Sequence, residues 1–145
     1  MKFEVEAVCI SKNKGEQKRP ITAAELLPNY GIKGDAHAGD WHRQVSLLAA
    51  EDIDGMKDEG FDLNPGDFGE NIITRGIDWT QTRIGGKIII GDAEMEVTQL
   101  GKECHQPCAI YYKAGRCIMP ERGIFAKVIK GGTIHAGSRG HYSVG

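Results

Sequence analysis

No apolar run in this chain approaches the roughly 20 residues that a membrane-spanning helix needs. The opening stretch, MKFEVEAVCISK, mixes acidic and apolar side chains and has no apolar core of a secretory signal. A surplus of positive charge is also missing. Eighteen Lys and Arg face 20 Asp and Glu, a formal net charge of -2, which excludes a general basic coat for nucleic acid. There is no Gly-x-Gly-x-x-Gly opening a helix, no Walker loop and no Gly-x-Ser-x-Gly elbow, so no nucleotide-loop or hydrolase motif supports a function. The Asp-Phe-Gly in GDFGENI has no accompanying catalytic loop, and the chain is too short for a kinase domain. Internal repeats and low-complexity segments are absent too. The expectation is a soluble cytoplasmic protein whose cysteines stay reduced unless bound or catalytically oxidised.

What is present points to strands. A length of 145 residues suits one domain spanning 1–145 and is enough for a real core without staples. Its 20 glycines are dispersed as turn punctuation, which favours many short strands over long helices. FEVEAVCIS sets Phe3, Val5, Ala7 and Cys9 against Glu4, Glu6, Val8 and Ile10, a strand with a more buried second half and Cys9 as a small core residue. KNKGEQKRP reads as a charged loop. Gln44 to Leu48 is a short apolar strand, followed by one helix in AAEDIDGMKDEG, with Ile53 and Met56 at helical spacing and Gly60 as its stop. NPGDFGENIIT returns to loop and strand. Gly91-Asp92 turns a hairpin between 87–90 and 93–100, with Ala93, Met95, Val97 and Gln99 on one face. A short helix over 107–113 and a closing strand near 141–144 complete a mainly β barrel with a few inserted helices, a closed form that leaves no strand edge exposed.

Three of the four cysteines lie in GKECHQPCAIYYKAGRCIMPERGIF, residues 101–125. Cys104 ends a predicted strand, and Pro107 stands where a helix would begin, its missing N–H harmless there. The positive end of that helix would face the thiol region and lower a cysteine pKa, with Lys102, Arg116 and Arg122 adding to the field. Structural zinc competes for the same residues, although Cys104, His105, Cys108 and Cys117 match no common finger spacing. A permanent disulfide is disfavoured in the cytoplasm. Cys108 and Cys117 could simply pack, and that reading stands level with a functional one.

A second polar constellation, GIKGDAHAGDWHRQVSLL, puts Asp35, His37, Asp40, His42 and Arg43 into a Gly-rich loop before a strand. Asp35 and His37 could equally be a loop hydrogen-bond pair. Arg43 is a fork suited to phosphate or carboxylate. PGDFGEN adds Asp67, Glu70 and Asn71, which could also be turn-formers. His135 and His141 receive no role.

In order along the chain, GIKGDAHAGDWHRQVSLLAAEDI, LNPGDFGENI, IGGKIIIGDAEMEVTQLGKECHQPCAIY and GIFAKVIKGGTI resemble the MOSC domain family, named for the C-terminal domain of molybdenum cofactor sulfurase. The resemblance implies a β-rich barrel and a cysteine that handles molybdenum cofactor or cofactor-bound sulfur. The position matching the family cysteine is Cys104, expected as catalytic residue and metal ligand, since thiolate suits a soft metal or a persulfide. Cofactor-binding candidates are Asp35, His37, Arg43, Asn71, Lys102, Cys108, Cys117 and Arg122. The basic ones among them are placed by chemistry rather than by the resemblance.

Two departures stand out. The N-terminal β-domain of the larger reductase relatives is not expected here, and the Gly-Asp frequent before the last strand is Gly137-Ser138. The preferred expectation is a cofactor-binding or sulfur-carrying protein, partnered by molybdenum cofactor or by its biosynthesis and acceptor proteins. Nucleic acid and membrane are not expected as partners. The alternatives are a molybdenum-dependent reductase of N-hydroxylated compounds, which would need an electron-donor protein, and a zinc-stabilised binding module.

Overall fold

The structure, a computed structural model, describes residues 1–101 and 119–144. Its first half contains β1 (Lys2–Ile10), β2 (Arg19–Pro20), β3 (Ala23–Leu27), β4 (Gly31–Ile32), β5 (Val45–Ala49), α1 (Ala50–Asp58) and β6 (Ile72–Arg75). A 3-10 turn (Trp79–Gln81) leads to β7 (Lys87–Ile90) and β8 (Ala93–Leu100). After a short helix, Met119–Arg122, come β9 (Ile124–Lys130), β10 (Gly132–His135) and β11 (Arg139–Ser143). Seven strands close into a barrel in the order β1-β11-β7-β8-β9-β5-β6 and back to β1. Among the described strands only β5 and β6 run parallel, which requires the crossover that α1 and the loop after it provide. β2 extends β1 at one end, and β10, β3 and β4 form a small second sheet. The mainly β barrel expected from the sequence is the architecture observed.

Two apolar layers sit on either side of the barrel wall. Phe3, Val5, Val45, Leu47, Ile72, Ile88, Met95, Val97 and Tyr142 are in the interior layer. Outside β5, β6 and β9, Leu48, Ile73 and Phe125 pack beneath Ile53 and Met56 of α1, with Leu63, Phe68 and Met119. β5 is therefore buried on both faces, which is why it reads as an unbroken apolar run. α1 has only 9 residues and no side-chain cap. A helix shorter than about 12 residues is marginal alone, so burial of Ile53 and Met56, worth roughly 1.5–3 kcal/mol each, holds it in place. Gly60 ends it with φ +100.

Two bulges change the expected facing. β1 shifts register between Val5 and Ala7. Val8 and Ile10 then join Phe3 and Val5 at the interior, while Ala7 packs in the outer layer. Cys9 remains fully buried, as expected of a core cysteine. β8 shifts between Val97 and Gln99, so Gln99 leaves the phase of Ala93, Met95 and Val97 and pairs with the outward Phe125. A bulge inserts one unmatched residue and re-aims the side chains beyond it.

Candidate functional site

The loop from Asp35 to Arg43 is anchored at its start by a buried charge cluster. The Asp35 carboxylate accepts from Ser11 N at 3.1 Å, from Lys18 Nζ at 2.8 Å and from His37 N at 3.1 Å. Both side chains of the Lys18–Asp35 pair have 0% exposure. Lys18 also donates to Ser11 Oγ at 3.0 Å, and its Nζ lies 2.9 Å from His37 Nδ1. All three ammonium protons thus have an acceptor.

Lys18 lies in the stretch read as a charged loop. There the structure differs: Arg19 and Pro20 pair with β1, and the Lys18 side chain turns inward to Asp35. Gly66 makes room for this. Its φ is +91, and a Cβ there would run into the Lys18 carbonyl, while Lys18 N donates to Gly66 O at 2.8 Å.

The far end of the loop is tied to β8. Arg43 Nε donates to Gln99 Oε1 at 3.0 Å, and His42 Nε2 lies 2.9 Å from the same oxygen. Gln99 Nε2 donates to Gly101 O at 2.8 Å, and Thr98 Oγ1 donates to His42 O. The Arg43 guanidinium lies over Phe125 at 5.5 Å and Trp41 at 5.9 Å. Its two terminal amino groups make no hydrogen bond among the described residues. Trp41 stacks on His37 with rings 6.4 Å apart and 7° from parallel, donates Nε1–H to His37 O at 2.7 Å, and carries Lys14 Nζ at 4.5 Å. Chemically this is an indole platform flanked by cations, with an arginine fork held at one edge.

The remaining expected site residues fall elsewhere. Asn71 is buried, and its side chain ties β5 to β1: Oδ1 accepts from Ser46 N at 2.9 Å and Ser46 Oγ at 3.1 Å, and Nδ2 donates to Cys9 O at 3.0 Å. Arg122 turns to α1 and the 3-10 turn, bonding Asp52 at 2.9 Å and Asp78 at 3.5 Å. That hydrogen bond to Asp52 raises the already high pKa of Arg122. Lys102, Cys104, Cys108 and Cys117, with the helix expected over 107–113, lie outside the described residues. Glu70 folds its carboxylate back onto Phe68 N at 3.0 Å and Gly66 N at 3.2 Å. Burial outweighs those amides and pushes it up to about 7. Burial, with the Glu70 charge second, pushes the Cys9 thiol up to about 12, so Cys9 is an inert thiol. No sequence signal separated Lys18 from the cations around it, and none marked the bulge that aims Gln99.

A seven-stranded closed barrel with a polar loop locked to the end of one strand defines a class of small β-barrel proteins with loop-borne sites. The MOSC domain profile matches residues 34–139, more than half of the chain. The chain belongs to the MOSC domain family, which is associated with molybdenum-cofactor-related proteins. Among solved structures it is similar to the YuaD protein from Bacillus subtilis, with TM-score 0.76, 19% identity and coverage of 98% of this chain and 96% of that one. YiiM from Geobacillus stearothermophilus matches with TM-score 0.73 and 17% identity over 97% of this chain and 75% of that one. YiiM from Escherichia coli matches with TM-score 0.70 and 18% identity over 99% and 70%. At these identities the likeness is one of fold. No curated protein matches the chain. No helix among the described residues is long and apolar enough to cross a membrane.

Proposed function

We propose that this protein binds molybdenum cofactor or carries sulfur for it, with Cys104 as metal ligand or persulfide carrier. One observation supports the reading above others. The Arg43 fork is tied through Gln99 to the end of β8, and Gly101, bonded to that same Gln99, directly precedes the stretch that bears Lys102 and Cys104. The Arg43 fork and the residue that leads into the cysteine stretch are thereby joined through one side chain. The donor set suits an anionic cofactor: an arginine whose terminal N–H groups make no hydrogen bond among the described residues, beside an aromatic plane and a second cation. Arg43 would hold the phosphate, and Cys104 would meet the metal or its sulfur. His37 and Asp35 belong to the wall of the same loop. When bound, the cofactor supplies a redox-active metal centre. Asn71 and Arg122 contribute by holding the barrel wall and the return of the chain after the cysteine stretch.

The test is composition. The protein is purified from a host that makes molybdenum cofactor, and molybdenum, zinc, pterin and cysteine persulfide are measured in wild type, Cys104→Ala and Arg43→Ala. Pterin, with molybdenum or persulfide lost in Cys104→Ala and pterin reduced in Arg43→Ala, is the expected result. Stoichiometric zinc with no pterin, molybdenum or persulfide would overturn it in favour of a zinc-stabilised binding module. If cofactor is retained, turnover of an N-hydroxylated compound with an artificial reductant separates a reductase served by an electron-donor protein from a carrier.

A further inference from the structure

We propose that the outer wall of the barrel where β6, β1, β11 and β7 meet is a second binding site, for a small monoanionic carboxylate carried on an apolar body. A cavity of about 600 Å³ opens there, a size that suits a small organic ligand. Strand register builds it from two outward rows. Arg75, Glu4 and Arg139 stand side by side on β6, β1 and β11, and Lys2, His141 and Ile89 do so on β1, β11 and β7. The floor is fixed by the core. A Cβ at Gly140 would come within 2.2 Å of the Phe3 ring, so glycine lets β11 settle onto Phe3 while Arg139 and His141 rise on either side. The site lies at the opposite end of β1 from Ser11 and the Asp35 loop, and it shares no residue with them.

Charge balance sets the class of ligand. Arg75 is already answered: its guanidinium bonds Glu6 at 2.9 Å and Asp54 at 3.0 Å, which holds it as a wall of the cavity. Arg139 and Lys2 make no side-chain hydrogen bond or ion pair among the described residues, although Glu4 stands opposite Arg139 in the ladder. Glu4 makes no ion pair among the described residues either. Two uncommitted cations against one carboxylate leave one positive charge in the cavity, on a chain whose formal net charge is -2. A single negative charge balances it, which favours a carboxylate over a doubly charged phosphate. Arg139 supplies the planar fork that engages a carboxylate with two N–H groups, and Lys2 a second charged donor. Ile89, 38% exposed and paired with His141, seats the apolar part of the ligand.

Titration of the full chain, labelled with nitrogen-15, with sodium hexanoate reads the site directly through its backbone amides. The expected result is saturable shifts centred on Lys2, Glu4, Ile89, Arg139 and His141, with a Kd of about 1 mM or tighter. Acetate, which lacks the apolar body, and hexanol, which lacks the charge, should each bind about tenfold more weakly or worse. Arg139→Gln should weaken hexanoate by about tenfold, and Glu4→Gln should strengthen it several-fold. Both side chains are exposed and make no ion pair among the described residues, so neither variant disturbs the fold. No saturable shift, shifts centred on Trp41 and Arg43, equal binding of acetate or hexanol, or unchanged affinity in Arg139→Gln would each overturn the proposal. Hexyl phosphate binding more tightly than hexanoate would overturn the choice of a monoanion. Pterin plays no part in these readouts, so failure of the proposed cofactor function would leave this site standing, and the reverse holds as well.

Discussion

Gln99 Oε1 accepts a hydrogen bond from Arg43 Nε at 3.0 Å across 56 positions of sequence. It does so because the register shift after Val97 turns Gln99 out of the interior phase. A bulge in a barrel wall thus sets where an arginine fork stands.

Replacing Gln99 by Ala removes the acceptor shared by His42 and Arg43 and the donor to Gly101. Since Gln99 is only half-buried, stability is expected to drop by about 1 kcal/mol. Pterin retained on purification should fall several-fold, as in Arg43→Ala. Thermal unfolding and pterin fluorescence check the two effects separately.

Lys18→Met leaves the Asp35 carboxylate buried without its counter-ion. Breaking such a pair costs roughly 3–5 kcal/mol, whereas removing both charges is much less damaging. Urea unfolding should place Lys18→Met far below wild type. Lys18→Met combined with Asp35→Leu should recover a large part of the loss, limited by the Ser11 and His37 amides that Asp35 also accepts.

Glu70 links stability to pH. Its folded value of about 7 lies above the ordinary 4.5, so the native state holds the proton more tightly than the unfolded chain does. The stabilisation from this group is complete below pH 4.5 and is lost as pH rises through about 7. Denaturant midpoints measured between pH 5 and 8 should therefore carry a downward contribution from Glu70, at most about 1.4 kcal/mol per pH unit. In Glu70→Gln that contribution is gone, and the wild-type minus variant difference should fall with pH across this window.

Cys9 is fully buried and its thiol is held far from ionisation. Treatment of the native protein with a maleimide, followed by peptide mass spectrometry, should leave Cys9 unlabelled at times that saturate an exposed thiol. In urea, Cys9 should label at an ordinary rate.

Local patterns carried the elements whose cause is local. The β7–β8 hairpin followed from Gly91-Asp92 between alternating residues, β5 from an apolar run, and α1 from Ile53 and Met56 ahead of Gly60. The bulges did not, because a register shift is decided by the partner strand and leaves no mark in the alternation of one strand. The strands β2, β3, β4, β9 and β10 went unassigned for a similar reason, since their pairings are selected by what lies opposite. Of the site, the Asp35–Arg43 loop was legible from its chemistry. The burial of Lys18 was not, because a lysine enters a protein interior only when a carboxylate brought there by another loop receives it. Arg122 could be read as a cation, but its choice of Asp52 and Asp78 depends on how the chain returns to α1.

The seam between β1 and β11 has a consequence for how the molecule comes into being. Lys2 pairs with His141, and the Met1 ammonium bonds the Tyr142 carbonyl, 141 positions away. During synthesis, β1 emerges before the other strands of the barrel and must wait for all of them before its neighbour on that side exists. Until then β1 and β7 are the open rims of an unfinished sheet, available to any other strand nearby. Loop closure of that span is also the most distant of the pairings and a slow one to nucleate. The nascent barrel is thus most vulnerable to aggregation in the interval before β11 arrives, and a chaperone that shields the rim of β1 would act at that stage.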